Sequence, residues 1–150
     1  MEVRRCNTSD APEIARIIVD FLAYSPYAGI ADISEDAIQA ILADTRSPIA
    51  FFIAEESGKT LGACAVVVFP LWFSDGALMT QELFWWVEPH ARTTRCGKAM
   101  LSAMEEWSTS VGAKGHFMVC LENEQAERMK KVYNTAGYKA VEHTFFKREG

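Results

Sequence analysis

The sequence predicts an α+β domain: a central mixed, mostly antiparallel sheet flanked by helices in three layers, with residues 1–150 forming one domain. Three observations predict it. Apolar residues recur at helical spacing in four segments, and short β-branched and aromatic runs bounded by turn residues lie between them. The order of these segments is β-α-α-β-β-β-α-β-α-β, with no repeat, low-complexity stretch or Ser/Gly-rich linker. The composition agrees. In 150 residues, 49% are hydrophobic and 23% charged. A chain of that length buries enough surface to fold without a disulfide or metal, and it is too apolar for a disordered segment.

Val3 to Cys6 is a short first strand. Asp10-Ala11-Pro12-Glu13 then supplies an N-cap, an early Pro and a first-turn acid, and Ile14, Ile17, Ile18, Phe21 and Leu22 follow at i, i+3, i+4, i+7, i+8. Ser34 starts a second helix whose Ile38, Ile41 and Leu42 face inward. The runs Ile49 to Glu55 and Leu61 to Phe69 flank the hairpin turn at Ser57-Gly58-Lys59, and Met79 to Val87 is the next strand. From Lys98, Met100, Met104, Trp107 and Val111 set a helix that Gly112 ends. His116 to Leu121 is a buried strand, Glu124 to Ala136 a helix closed by Gly137, and Tyr138 to Lys147 a last strand.

Several function classes are excluded at this level. The net charge is −5, which argues against a general nucleic-acid binder. The longest apolar run, Leu61 to Phe73, is thirteen residues and contains Gly62 and Pro70, whereas a membrane-spanning helix needs about 20. The N-terminus has no signal-peptide pattern, so the expectation is a soluble, cytoplasmic protein with no membrane or nucleic-acid partner. Cys6, Cys64, Cys96 and Cys120 are spread singly and read as reduced, buried thiols. With His90, His116 and His143 they form no short-range metal signature, and no metal is expected. The charge is uneven. Residues 1–91 hold five Lys/Arg against thirteen Asp/Glu, while residues 92–150 hold ten against seven.

The basic part opens abruptly at a strand, loop and helix start, Val87 to Leu101, with Arg92, Arg95 and Lys98. A helix N-terminus presents unpaired N–H groups and the positive end of the macrodipole, so the segment reads as a pyrophosphate cradle, and Gly97 lets a ligand approach the backbone. A P-loop does not fit, because Arg92 stands where the first Gly belongs and Ala99 where the magnesium-binding hydroxyl belongs. The Rossmann glycine pattern is absent.

The segment with Val87, Pro89, Arg92, Gly97, Met100 and Leu101 resembles the acetyl-CoA-binding motif of the GNAT superfamily of N-acetyltransferases, Gln/Arg-x-x-Gly-x-Gly/Ala. Arg92 matches the first position and Gly97 the last. Arg95 stands where the family has Gly. Asn123 to Ala126, then Val132-Tyr133-Asn134-Thr135-Ala136-Gly137-Tyr138, is similar to a second family segment with about one extra helical turn between its halves. The resemblance implies a GNAT fold and acyl transfer from acetyl-CoA, as co-substrate, to a small-molecule or peptide amine. It places the co-substrate against Trp86 and Val87 and the loop Arg92, Thr93, Thr94, Arg95, Cys96, Gly97 and Lys98.

Such chemistry needs a neutral amine, a stabilised oxyanion and a proton for the departing thiolate. Tyr133 matches the family position of the thiolate's proton donor, and Glu82 lies where members carry a catalytic base. Period two along the strand puts Glu82, Phe84 and Trp86 on one face and Gln81, Leu83, Trp85 and Val87 on the other. A backbone N–H near Val87 would meet the oxyanion. Asn123 either reaches the pantetheine arm or caps the helix after it. Cys96 has no paired His and is not read as a nucleophile. The aromatic loops Tyr24 to Gly29 and Phe69 to Gly76, beside the acidic first 91 residues, suggest a cationic or amphipathic acceptor. The resemblance also implies homodimerisation, through the late strands and exposed apolar positions such as Phe145 and Phe146.

Overall fold

The computed structural model describes residues 1–150 and divides into two compact units, Met1–Val119 and Cys120–Gly150. The first unit contains β1 (Glu2–Arg5), α1 (Ala11–Ala23), α2 (Glu35–Ala43), β2 (Ile49–Glu56), β3 (Lys59–Pro70), β4 (Leu78–Val87), α3 (Cys96–Ser110) and β5 (His116–Phe117). The second contains α4 (Ala126–Thr135). The sheet order is β1-β2-β3-β4-β5, antiparallel up to β4 and parallel between β4 and β5. This is the α+β architecture expected.

Local chemistry explains the elements. At the β2–β3 turn both Ser57 (φ 51°) and Gly58 (φ 75°) are left-handed, as a two-residue hairpin matched to strand twist requires. Ser34 caps α2 by accepting the Ala37 N–H at 3.1 Å. The entry to α1 is arranged differently from the expected Asp10 cap. Asn7 accepts the Ser9 N–H at 2.9 Å, and Asp10 uses its carboxylate on the Asn7 N–H at 2.8 Å and on both terminal nitrogens of Arg4, at 2.8 and 2.9 Å. The guanidinium holds the Asp10 carboxyl below the ordinary carboxylate range.

Both faces of the sheet are covered. Ile14, Ile17 and Ile38 of α1 and α2 pack with Phe51, Ile53, Ala63, Ala65, Phe84 and Trp86. On the other face α3 buries Cys96, Met100 and Met104, and Thr80 of β4 bonds to Ser108 of α3. Gly62 makes close approach possible: a Cβ there would lie 2.4 Å from the Trp86 carbonyl oxygen and 2.9 Å from Met100 Cε. Glycine is the residue that fits this crossing of β3, β4 and α3.

The register of β4 overturns the simple alternation expected for it. Ala65 faces Phe84 and Val66 faces Glu82, so Leu83 is an unpaired extra residue, a β-bulge with an exposed side chain. Directly paired residues share a face. Phe84 and Trp86 therefore go with Ala65 to the α1 side, while Glu82 goes with Val66 and Thr80 to the α3 side. Trp85 and Val87 also face α3, at 3.5 and 3.7 Å from the Cβ position of Gly97.

Three other expectations are corrected. β5 covers two residues rather than His116 to Leu121, because the Val119 N–H bonds to a side chain and the ladder stops. α4 starts at Ala126 rather than Glu124, because Asn123 Oδ1 accepts the Gln125 N–H at 2.9 Å and forms a turn first. Residues 138–147 form no strand. Val141 is 71% and Phe145 93% exposed, and strand propensity is realised only where a neighbour supplies the ladder. No helix is long and apolar enough to cross a membrane.

Candidate active site

The chemistry-bearing part of the first unit starts where β4 loses its second neighbour. β4 pairs with β5 only at Thr80–His116 and Gln81–Phe117, so the edge of β4 from Glu82 to Val87 has no strand beside it. Glu82 sits at that point, 4% exposed, with its Oε2 accepting the Val119 N–H at 2.9 Å. Burial pushes its carboxyl up to about 7, against the lowering effect of the Val119 N–H. A carboxyl that titrates near neutrality can take and return a proton at physiological pH. On the same face Thr80 Oγ1 lies 2.6 Å from Ser108 Oγ and 2.7 Å from His116 Nδ1, joining β4, α3 and β5. Burial lowers His116 to about 4, so this network holds a neutral imidazole.

At the end of β4 the chain passes through a 3-10 turn, Pro89–Ala91, into α3. Arg92 is folded back: its Nε donates to the Val87 carbonyl at 2.9 Å, and its guanidinium lies 4.7 Å from the Trp86 ring centroid. Thr94 Oγ1 donates to the Ala91 carbonyl at 2.6 Å and accepts the Cys96 N–H at 3.2 Å. Arg95, at the N-cap, has φ −77° and ψ −1° and makes no side-chain capping bond. That conformation is open to any residue, so Arg in place of the motif Gly introduces no backbone strain. Thr94 thus takes the first N–H of α3, and the N–H groups of Gly97 and Lys98 follow at the positive end of the helix dipole. A Cβ on Gly97 would meet only ordinary contacts with Trp85 and Val87. The fold does not require that glycine.

The structure sorts the candidate residues. Glu82, Val87 and Gly97 share the α3 face of the sheet. The Trp86 ring lies on the opposite face, 5.5 Å from Tyr24, with its Nε1 3.4 Å from Glu88 Oε2. Trp85 takes the place beside Gly97. The Cys96 side chain is fully buried, and desolvation raises its thiol pKa, which removes it as a nucleophile. Thr93, Thr94, Arg95 and Lys98 are exposed along the loop. Sequence reasoning missed Thr80, Ser108 and Val119, for which local pattern gives no signal, and Gly62, which an isolated Gly inside an apolar strand could have signalled.

The aromatic loops are displayed outward. Tyr24 is 66%, Trp72 92% and Phe73 66% exposed, with Trp72 and Phe73 edge to face at 5.4 Å. The loop that carries them is closed by the Leu71 N–H on the Ala77 carbonyl at 2.9 Å. In the second unit Tyr133 is buried on α4 with its ring 5.9 Å from that of Tyr138, and Gly137 (φ 93°) turns the chain so that the Tyr138 N–H reaches the Tyr133 carbonyl. Asn123 lies in the turn before α4. No group of three His, Cys, Asp or Glu side chains is placed to hold a metal ion.

Residues 15–138 match the model of the acetyltransferase (GNAT) family. The chain belongs to the GNAT family. The uncharacterized N-acetyltransferase YhfO of Bacillus subtilis (strain 168) is 31% identical over 143 residues, 92% of this chain and 89% of YhfO. Solved structures agree in fold. An aminoglycoside acetyltransferase from an uncultured soil metagenomic sample, meta-AAC0020 in complex with sisomicin, has a TM-score of 0.76 at 16% identity, covering 99% of this chain and 96% of its own. The ribosomal-protein-alanine N-acetyltransferase of Brucella melitensis biovar Abortus 2308 has a TM-score of 0.75 at 13% identity, covering 99% and 100%. AAC(6')-Iy in complex with a CoA bisubstrate analog has a TM-score of 0.76 at 18% identity, covering 99% and 97%. The chain is a GNAT N-acetyltransferase.

Proposed function

We infer that this GNAT enzyme moves the acetyl group of acetyl-CoA directly to a primary amine on a cationic or amphipathic acceptor, with Glu82 as general base and Tyr133 as general acid. The observation that carries the reading is Glu82: a buried carboxyl at about 7, on the face shared with Gly97, at the start of the open edge of β4. The first-turn N–H groups of α3 beyond Cys96 and the exposed cations Arg92, Arg95 and Lys98 suit a diphosphate. Arg92, Thr93, Thr94, Arg95, Gly97 and Lys98 would hold it, with Cys96 contributing backbone only.

When bound, acetyl-CoA supplies the acetyl thioester. Glu82, ionised above about pH 7, takes the proton that the attacking amine loses as the N–C bond forms. An N–H near Val87 stabilises the oxyanion. Tyr133 gives its phenolic proton to the departing sulfur as the C–S bond breaks, and exchange with water restores both side chains. A phenol with an ordinary pKa near 10 suits an alkyl thiolate as donor. Asn123 is assigned to the turn before α4.

The acidic residues 1–91 and the outward Tyr24, Trp72 and Phe73 support a cationic acceptor, and relatives of this fold are named as aminoglycoside and ribosomal-protein acetyltransferases. The enzyme is read as cytoplasmic. It is also read as a homodimer, supported by the exposed Val141, Phe145 and Phe146. The test is thiol release from acetyl-CoA over a panel of cationic, neutral and anionic amines. Turnover confined to cationic amines supports the reading, equal turnover of anionic and cationic amines removes the acceptor class, and release with none of them removes the catalytic assignment.

A further inference from the structure

Three buried polar side chains lie together on the α3 side of the sheet. Thr80, Ser108 and Glu82 are 0%, 6% and 4% exposed. The layer around them is apolar, with Val66 of β3 and Met100 and Met104 of α3. A buried hydroxyl costs free energy unless it is bonded, and valine would fill position 80 of the strand with nearly the same shape and no such cost. Packing alone therefore does not call for threonine. Its hydroxyl has two partners, Ser108 Oγ at 2.6 Å and His116 Nδ1 at 2.7 Å.

What the hydroxyl holds is the segment that supplies a donor to Glu82. Residues 114–119 run beside β4 and are fastened to it in chain order. The Lys114 N–H donates to the Leu78 carbonyl at 2.8 Å, the Thr80 N–H to the Gly115 carbonyl at 3.2 Å, His116 meets the Thr80 hydroxyl, and the Val119 N–H donates to Glu82 Oε2 at 2.9 Å. The ladder itself ends at Gln81 and Phe117. Thr80 and Glu82 are two positions apart on one face of β4, so the hydroxyl is the polar fastening nearest to the carboxyl on that face. On the other face Phe117 stacks on Phe69 at 6.4 Å, a contact that does not involve the hydroxyl.

We propose that Thr80, bridged to Ser108 and His116, is a positioning residue for Glu82: it fixes residues 116–119 so that the Val119 N–H holds Oε2 of the carboxylate and leaves Oε1 for the proton of the amine. The proposal rests on the reading of Glu82 as the base. The titratable side chains on this side of β3, α3 and β5 are Cys64, Cys96 and His116. All three are neutral near pH 7, because burial raises both thiols and lowers the imidazole. Lys98, Glu105 and Glu106 lie off the buried stripe of α3, and Arg5 lies over Phe52 and Trp107 at the β1 edge of the sheet. With neutral groups around the carboxyl, the Val119 N–H is what favours its ionised form. Displacing that donor should raise the pH at which Glu82 ionises.

The test is titration of the Glu82 carboxyl by carbon-13 NMR, assigned with Glu82→Gln, in the full chain as wild type, Thr80→Val, Thr80→Ser and Ser108→Ala. It is read without substrate, so it decides whatever the acceptor is. Thr80→Val should move the midpoint up by about 1 in pH, the scale of a weakened hydrogen bond to a charged group, and Thr80→Ser, which keeps a hydroxyl, should restore it. In thiol release from acetyl-CoA with the best amine of the cationic panel, kcat/KM of Thr80→Val should fall about fivefold at pH 7 and recover by about pH 9. A merely structural role would lower the rate alike at every pH. Should Thr80→Val not fold, Ser108→Ala decides, with a smaller rise of the midpoint expected. A midpoint that stays or falls in the folded variant overturns the proposal and leaves Glu82 as the base. A midpoint that rises while the rate profile does not follow supports the positioning and removes Glu82 as the base.

Discussion

Glu82→Gln separates the two consequences of burying this carboxyl. Raising the group from 4.5 to about 7 corresponds, at 1.36 kcal/mol per pH unit, to about 3 kcal/mol. The sign follows from proton binding. Between those two values the folded protein keeps the proton that the unfolded chain releases, so stability is full below pH 4.5 and falls as pH rises to about 7. His116, lowered to about 4 by burial, acts in the opposite direction: stability rises between about 4 and 6.5 as the unfolded imidazole loses its proton. The two slopes offset each other over much of the acid range, so the curve of wild type alone decides little. The difference between wild type and Glu82→Gln isolates the carboxyl. Urea unfolding at pH 5, 6, 7 and 8 should show the variant gaining on wild type by about 3 kcal/mol across the series, because a neutral amide has no ionised form to desolvate. The same variant should lose about 10²- to 10⁴-fold in thiol release above pH 7. A flat stability difference refutes the buried carboxyl. A sloping difference with unchanged turnover refutes its role as base and keeps its burial.

Other substitutions have equally definite outcomes. Gly62→Ala places a methyl 2.4 Å from the Trp86 carbonyl and should destabilise by about 1–3 kcal/mol in denaturant melts. Gly97→Ala, whose Cβ meets only Trp85 and Val87 at ordinary distance, should stabilise the ligand-free protein by up to about 1 kcal/mol through helix propensity, whereas Gly97→Glu should abolish CoA binding in calorimetry. Tyr133→Phe should cost about 10²- to 10⁴-fold in kcat with CoA affinity retained, and an unchanged rate across pH would take the acid role from it. Asp10→Ala strips Arg4 and the Asn7 N–H of a shared partner and should cost about 1–3 kcal/mol at pH 7. As the folded Asp10 carboxyl is held below its ordinary value, that difference should shrink as pH falls below about 4.

Local signals carried most of the architecture. Ser34 before an apolar period, Ser57-Gly58 between two strand runs, and Gly112 and Gly137 after two helices are choices made by backbone geometry within a few residues, and the structure places each where sequence reading does. Elements that depend on a distant partner were the ones misread. Residues 118–121 have strand chemistry, yet the Val119 N–H goes to Glu82, thirty-seven positions away. Residues 138–147 alternate suitably and have no ladder to join. The Asn7 cap was missed for a related reason, since the Asp10 carboxylate is drawn to Arg4 before it can cap its own helix.

The bulge at Leu83 shows why such a misreading bears on chemistry. Period two is valid within each half of β4 and fails at one residue, and that failure moves Glu82 from the side of Phe84 and Trp86 to the side of Thr80, Val87 and Gly97. Were Leu83 paired in a regular ladder instead, the carboxyl would point to the side of Phe84 and Trp86, among the apolar side chains packed with α1 and α2. With the bulge, the carboxyl reaches the Val119 N–H at the place where β4 and β5 separate. One unpaired residue thus gives the strand a buried acid on the α3 side and an aromatic wall on the other. Deleting Leu83 leaves Phe84 opposite Ala65 and Glu82 opposite Val66 in an unbroken ladder, so a shortened strand that folds should keep the Glu82 carboxyl on the α3 side and its neutral-range titration in carbon-13 NMR. A deletion variant that folds and loses that titration would show that the pairing with Val66 does not set the position of Glu82.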